Sequence, residues 1–250
     1  MGDDNKRIIF LIPFRGAMSI LLHLIMGIFI VFLAVSYFAE IFSYIGLPLY
    51  LSYALGVEIS FLSLLLSPIN IVIKKVENNV FSIQQDVVYF FGIPIVVPRA
   101  FSQRTYTYIA LNAGGAILPL ATTLFLLLSL HHPLSLLLVL FETLIIILAS
   151  KSIARVIPGV GVVMPPIVPS LISSILSYVL FVTIHPILVP LSAYISSVLG
   201  TLIGADILNL KRMLQEARPQ MISVGGMGTF DGIFISGLLS LAIGTFLISL

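Results

Sequence analysis

Long runs of apolar residues dominate the chain, and short segments rich in proline, glycine or charge separate them. A run of about twenty apolar residues can cross the hydrocarbon core of a bilayer as a helix. Seven such spans are predicted, with breaks at Pro48, Pro68, His131-His132-Pro133 and His185-Pro186. The predicted spans are residues 16–39, 48–67, 107–130, 134–150, 167–185, 190–209 and 230–250.

The composition agrees with this pattern. Hydrophobic residues make up 59% of the chain and charged residues only 9%, which cannot form a water-soluble surface. We therefore predict an all-α polytopic membrane protein whose residues 1–250 form a single transmembrane domain of the cell membrane. The expected partner is the lipid bilayer, with a membrane-protein substrate or partner subunits as further candidates. Nothing in the chain indicates a cofactor or nucleic-acid binding, and the absence of cysteine excludes thiolate chemistry.

The basic residues predict the orientation, because Lys and Arg collect in short cytoplasmic loops. With seven spans, all twelve fall on one side of the membrane. The N-terminus is then cytoplasmic and the C-terminus lies outside. These residues are Lys6, Arg7 and Arg15 before span one; Lys74, Lys75, Arg99 and Arg104 between spans two and three; Lys151 and Arg155 after span four; and Lys211, Arg212 and Arg218 between spans six and seven.

Residues 69–106 form the one sizeable segment predicted outside the membrane. They contain β-branched and aromatic runs punctuated by Asn78-Asn79, Gly92 and Pro98. This pattern predicts two to four short strands in a small cytoplasmic β-rich insertion. The insertion is either a linker that covers the end of the bundle or a docking surface for a partner.

Two aspartates flank the last short loop, with Asp206 at the end of span six and Asp231 at the start of span seven. Ionisable residues at such depth are costly in lipid and therefore mark a candidate site. Both spans carry small residues at every fourth position, which lets membrane helices approach closely. The two carboxyls are thus candidate catalytic groups held beside a helix contact. The alternative is that they cap helix ends or reach the membrane surface.

We call these two sets of small residues the small-residue stripes. They are Ser192, Ser196, Gly200 and Gly204 in span six, and Gly228, Gly232, Ser236, Ser240 and Gly244 in span seven. The stripes predict tight packing of these spans, against each other or against a third helix. A glycine-rich run ahead of Asp231, which includes Gly228, lacks the Lys of a nucleotide-binding loop and would suit a flexible gate.

Several motifs together resemble a known family. They are residues 112–116 (NAGGA), 158–161 (PGVG) with Pro165, 204–206 (GAD) and 223–232 (SVGGMGTFDG). Their order and spacing resemble the prokaryotic membrane family catalogued as domain of unknown function 1614. The resemblance covers roughly residues 47–250, and the family name implies no activity.

A second resemblance is topological. Presenilin-like and signal-peptide-peptidase-like intramembrane proteases carry one Asp on each of two adjacent helices joined by a cytoplasmic loop, as Asp206 and Asp231 do. That resemblance implies an aspartyl protease. This chain departs from the group's motifs. Ala205 rather than Tyr precedes Asp206, and Gly228-Thr229-Phe230 rather than Gly-x-Gly precedes Asp231.

A proton- or cation-coupled transporter or channel is the main alternative, because Glu58 and Glu142 are predicted well inside the membrane. The broken stretch from Pro158 to Pro169 supports it, since transporters build sites from discontinuous helices. Glu58, Glu142, Asn112 and Gly228 are therefore candidates for binding a substrate or an ion.

Each of these residues also has a structural interpretation. The acids could be protonated or bonded to serine within the bundle, and Asn112 could form an interhelical hydrogen bond. A non-catalytic membrane scaffold or complex subunit is a third class. His131, His132 and His185 are predicted together at the outer face, but turn histidines are common, and no metal site is predicted.

Overall fold

A computed structural model describes residues 7–11, 16–90, 93–158, 161–217, 219–226 and 232–250. These residues form a helical bundle with a β-sheet at one end. The α-helices are α1 (Ala17–Tyr44), α2 (Leu49–Leu66), α3 (Leu118–Leu128), α4 (Pro133–Ile153), α5 (Ile167–Phe181), α6 (Leu188–Thr201), α7 (Leu210–Arg212) and α8 (Gly232–Ser249).

Three wider π-helical turns and one tighter 3-10 turn continue these helices. The π-helical turns are Ala113–Ile117 before α3, Leu202–Asp206 after α6 and Met213–Ala217 after α7. The 3-10 turn is Ile207–Asn209.

Five of the described helical stretches are long and apolar enough to cross a membrane, and two shorter ones are also apolar. All seven lie at the positions of the predicted spans. The long stretches are Ile20–Tyr44, Leu49–Leu66, Pro133–Ile153, Leu188–Glu216 and Gly232–Ser249; the shorter ones are Ala113–Leu128 and Ile167–Phe181. The chain is thus a helical membrane protein.

The strands form two sheets. The larger has the order β1-β2-β3-β6, with β1 and β2 antiparallel, β2 and β3 antiparallel, and β3 and β6 parallel. The smaller is the antiparallel pair β4-β5. The strands are β1 (Ile8–Phe10), β2 (Ile69–Phe90), β3 (Ile93–Asn112), β4 (Arg155–Ile157), β5 (Gly161–Val163) and β6 (Met221–Val224).

The insertion differs from the prediction of short strands in 69–106. It consists of two long strands, and β3 continues to Asn112, so the helical stretch predicted at 107–130 begins at Ala113. Tyr108 to Leu111 lie between β2 and β6 and pair with both. Hydropathy could not distinguish this buried central strand from the first turns of a membrane helix.

Helix α6 lies at the centre of the bundle. Its side chains Val189, Leu191, Ile195 and Val198 are fully buried. Tyr194 packs edge-on against Phe38 of α1, with ring centroids 5.6 Å apart. The central position of α6 means that other helices are held in place largely through it.

The two small-residue stripes use different neighbours. A Cβ at Gly200 would lie 2.3 Å from Ile146 Cγ2, and one at Gly204 would lie 2.3 Å from the Ile147 carbonyl oxygen, so this half of the α6 stripe packs on α4. In α8, the carbonyls of Ser236 and Ser240 accept hydrogen bonds from serines of α5. The α6 stripe thus packs on α4, whereas the α8 stripe contacts both α5 and α6, because a Cβ at Gly244 would lie 2.8 Å from Pro190 Cα.

We expect Gly204→Ala to destabilise the protein by about 1–3 kcal/mol, because the methyl group would force α4 away from α6. Gly232→Ala is the matched control, since its Cβ would meet no atom of the described residues within 4 Å. Denaturant unfolding in mixed micelles would measure both free energies. Equal losses in the two variants would show that the close contact between α4 and α6 is not a source of stability.

Candidate functional site

Asp206 is the last residue of the π-helical turn that ends α6, and it is half-buried. Its Oδ2 atom accepts a hydrogen bond of 3.2 Å from the backbone N–H of Gly225. π-Helical turns are rare and are frequent at functional sites, because the extra residue redirects the side chains that follow. Here the turn places a carboxyl where α6 leaves the bundle core.

Asp206 lines a cavity of about 200 Å³. Three elements supply the walls: the end of α6, the strand β5 with the residue after it, and the start of α8. Thr201 adds a hydroxyl to the same wall as Asp206. The lining residues are Val162, Val163, Met164, Thr201, Ala205, Asp206, Gly232 and Ile233. The cavity thus combines a carboxyl, a hydroxyl and apolar surface.

Asp231 and Gly228 lie outside the described residues. Gly232, the residue that follows Asp231, lines the cavity that contains Asp206. The distance between the two carboxyls is therefore a prediction to be tested by experiment.

The broken stretch predicted at 158–169 is a small hairpin followed by a helix. Arg155 pairs with Val163 and Ile157 with Gly161, and α5 then begins at Ile167. β5 has one edge paired with β4 and contributes Val162 and Val163 to the cavity. Non-helical backbone therefore forms part of the wall beside Asp206.

A buried polar network links the large sheet to the loop beside Asp206. Ser223 in β6 donates to Asn70 Oδ1 at 2.5 Å and also contacts the carbonyl oxygen of Gly226. Asn112 donates through Nδ2 to Asn70 Oδ1 at 3.3 Å. The sheet thus holds the start of the segment that leads from Gly225 towards α8.

Asn112 itself is fully buried and has protein partners on both sides of its amide. Its Nδ2 donates to the Ser67 carbonyl at 2.6 Å, and its Oδ1 accepts from the Gly115 N–H at 2.7 Å. The second interaction is a side-chain cap at the start of a helical turn. These bonds give Asn112 a structural role at the junction of sheet and bundle.

Glu142 of α4 is fully buried and accepts three hydrogen bonds from serine hydroxyls. Ser177 of α5 donates at 2.7 Å and Ser196 of α6 at 2.5 Å, both to Oε1; Ser192 donates to Oε2 at 2.5 Å. The carboxyl therefore joins three helices, and both of its oxygens have partners. A buried polar group with matched partners stabilises one arrangement of the helices.

Glu40 and Glu58 differ from Glu142. Span one was predicted to end at residue 39, but α1 continues to Tyr44 and includes Glu40. Its carboxyl accepts a hydrogen bond from the Tyr44 hydroxyl and one of 3.5 Å from Thr245 of α8. Glu58 is exposed on α2 and lines a separate, largely apolar groove.

The turns before α4 and α6 bring His132 and His185 together, two of the three histidines that were predicted to lie close to one another. The rings of His132 and His185 lie 6.4 Å apart between centroids. Within the described residues, no group of three or more His, Cys, Asp or Glu side chains could hold a metal ion.

Sequence reasoning included a serine-bonded Glu142 as an alternative, but it identified neither the three serines that donate to it nor the place of Thr201. Ser192 and Ser196 were assigned to close packing, because small residues at four-residue spacing predict that equally well. Their spacing could have suggested a role as hydrogen-bond donors, because residues four apart lie on one face of α6, and that face could meet a buried acid on a neighbouring helix. The pairing of Glu142 with these residues depends on the tertiary arrangement.

The apolar helices, the serine-lined interior and the sheet at one end define a helical integral membrane protein. The chain belongs to the family described as Protein of unknown function (DUF1614), whose sequence profile matches residues 64–243. This match confirms the family resemblance of the glycine-rich motifs. The matched segment includes Asn112, Glu142, Asp206 and Asp231, and it begins after Glu58. No curated protein and no solved structure matches the chain.

We expect Gly225→Ala to destabilise the protein more than Gly46→Ala does. Both glycines have positive φ, +87° and +90°, so both substitutions carry the strain of a left-handed backbone. Only at Gly225 would the added Cβ also collide, lying 2.4 Å from the Ala116 Cβ. The extra loss should be about 1–3 kcal/mol, measured by denaturant unfolding in micelles. An equal loss in both variants would contradict the described contact between Gly225 and Ala116.

Proposed function

We propose that the protein is an intramembrane aspartyl protease that uses Asp206 and Asp231. The observation that carries the proposal is the cavity beside α6, which is lined by both Asp206 and Gly232. We expect the carboxyl of Asp231, the residue directly before Gly232, to reach the same cavity. A pair of carboxyls that share one cavity is the requirement of an aspartyl protease.

The packing of α6 and α8 supports this pairing. A Cβ at Gly237 would lie 2.7 Å from Val198 Cγ2, so α6 and α8 approach closely about two helical turns before Asp206. The order of one Asp on each of two packed helices is that of presenilin-like proteases. The family of unknown function itself contributes no activity to the argument.

The chemistry follows from two carboxyls about 3 Å apart, of which only one is ionised. The ionised carboxylate removes a proton from water, and the water oxygen forms a bond to the scissile carbonyl carbon. The protonated carboxyl donates its proton to the carbonyl oxygen. The tetrahedral intermediate then collapses: the C–N bond breaks, the leaving nitrogen takes the proton that the first carboxylate removed from water, and one hydroxyl of the intermediate returns a proton to the second carboxylate. The products are a carboxylic acid and an amine, and no other reactant is needed.

We further infer that the seven apolar helical stretches cross the membrane with the N-terminus in the cytoplasm. The shorter stretches, 15 and 16 residues long, would span roughly 22–24 Å, less than the roughly 30 Å of hydrocarbon. The connecting hairpin β4-β5 would then lie near the cytoplasmic boundary. This arrangement opens the Asp206 cavity to water and places the large sheet on the cytoplasmic face.

We expect Asp206→Asn and Asp231→Asn each to abolish labelling by a photoactivatable peptide carrying a hydroxyethylene isostere. The hydroxyl of this isostere imitates the tetrahedral intermediate between two carboxyls, and such analogues bind 10²–10⁸-fold tighter than substrates. Labelled protein reconstituted in liposomes would be detected by mass spectrometry. Cleavage of a single-span helical reporter should be lost in the same two variants.

Glu216→Gln is the control, because Glu216 is an exposed acid that pairs with Arg212 on the same helical segment. It should keep wild-type labelling and cleavage. Labelling that persists in either aspartate variant would refute a two-aspartate mechanism, as would wild-type protein that neither binds the isostere nor cleaves the reporter.

A second candidate is proton-coupled transport, which the buried Glu142 favours. Its carboxyl accepts three serine hydrogen bonds in the bundle interior, and hydroxyls can both accept and donate a proton. Buried acids with such partners serve as proton relays in pumps and transporters. This function would use residues separate from the Asp206 cavity.

If Glu142 carries protons, Glu142→Gln should abolish proton uptake into liposomes driven by a membrane potential, measured with a pH-sensitive dye inside. The amide retains the size of the carboxyl but cannot exchange a proton at neutral pH. Glu77→Gln, an exposed position in β2, should leave uptake unchanged. Wild-type uptake by Glu142→Gln would exclude this role and leave Glu142 as a structural hydrogen-bond acceptor.

A further inference from the structure

Glu58 lies near the middle of α2. It is the tenth of the eighteen residues Leu49–Leu66, so it is roughly 12–14 Å from either end of the helix. The hydrocarbon core of a bilayer is about 30 Å thick, which places Glu58 near its midplane if α2 crosses it. A carboxyl at this depth is far from water and from lipid headgroups.

Glu58 also lacks the partners that the neighbouring acids have. Glu142 accepts three serine hydrogen bonds and Glu40 accepts two hydroxyls. In the part of the chain that the structure describes, Glu58 is exposed on the helix surface and forms no hydrogen bond or ion pair. A carboxyl inside the membrane that has no partner in the protein must either be protonated or bind a partner from outside the protein.

A groove of about 290 Å³ lies directly beside Glu58. It is formed by α1, α2 and α3, and Glu58 and Thr122 are the polar residues in its walls. The Thr122 hydroxyl already donates to the Leu118 carbonyl at 3.0 Å. Phe42 and Phe125 form an aromatic wall, with ring centroids 6.0 Å apart. The other lining residues are Leu55, Ile59, Leu62, Leu118 and Ala121.

We propose that this groove is a binding site for a lipophilic amine. The ammonium group forms a charge-assisted hydrogen bond with the Glu58 carboxylate, and the apolar part lies against Phe42, Phe125 and Leu62. The ligand enters sideways from the bilayer, because α2 and α3 expose the groove on the outside of the bundle.

The shape and charge of the groove select this occupant over two others. A neutral lipid chain would fill the space but would leave the carboxyl without a partner. A helix of a second copy is 10–12 Å across, which is too wide for a cavity near the lower size limit of small-molecule sites. The site is distinct from the Asp206 cavity, which is built by α6, α8 and β5, so the inference is independent of proteolysis.

The test uses wild-type protein in liposomes and a decylamine that carries a photoactivatable diazirine in its chain. The matched probe is the corresponding decanol, and labelled residues are mapped by mass spectrometry. The amine should label residues 55–62 and 118–125, and excess unlabelled decylamine should compete while excess decanol should not. Glu58→Gln should reduce this labelling by about tenfold or more, as expected for loss of a charged hydrogen bond.

A second variant tests the groove without changing charge. Ala121→Phe would fill the groove and should also remove labelling, whereas Leu128→Phe places the same side chain at an exposed position of α3 and should not. Equal labelling of wild type and Glu58→Gln, or equal labelling by amine and alcohol, would overturn the proposal. Labelling by the amine at other positions in place of residues 55–62 and 118–125 would also overturn it.

Discussion

The close approach of α6 to its neighbours is the constraint on which the rest of the structure depends. Lipid is as apolar as leucine, so membrane helices gain little from burying apolar side chains and associate through close packing and hydrogen bonds. Gly200 and Gly204 bring the backbone of α6 against α4, and Ser192 and Ser196 bind Glu142 nearby. Wider side chains at these positions would separate α4 from α6 and leave a buried carboxyl without donors.

The candidate site forms where this close packing ends. α6 leaves the core through a π-helical turn that ends at Asp206, and the small hairpin and the start of α8 complete the cavity. The large sheet reaches the same place through Asn70, Ser223 and the Gly225 backbone N–H. Asp206 is therefore connected to the large sheet through hydrogen bonds and the backbone between Ser223 and Gly225.

Glu142, Glu58 and Asp206 differ in their burial and in their hydrogen-bond partners. Glu142 has three hydroxyl donors and lies in the interior, so its removal would disturb the packing of α4, α5 and α6. Glu58 has an apolar groove beside it and no partner among the described residues. Asp206 is half-buried and faces a mixed polar and apolar cavity. These three carboxyl groups therefore support different hypotheses: a structural role or proton transfer for Glu142, ligand binding for Glu58 and catalysis for Asp206.

The sequence by itself determined the membrane class, the positions of the apolar helices and the family, because hydropathy and glycine-rich motifs are local properties. It also predicted that Glu58 and Glu142 lie inside the membrane. It could not separate the strand Tyr108 to Leu111 from a membrane helix, because both are continuous apolar runs. The tertiary structure decided that the α6 stripe packs on α4, that three serines surround Glu142, and that Asp206 and Gly232 share a cavity. These features depend on contacts between residues distant in the chain, and periodicity identifies the face of a helix but not the neighbour it meets.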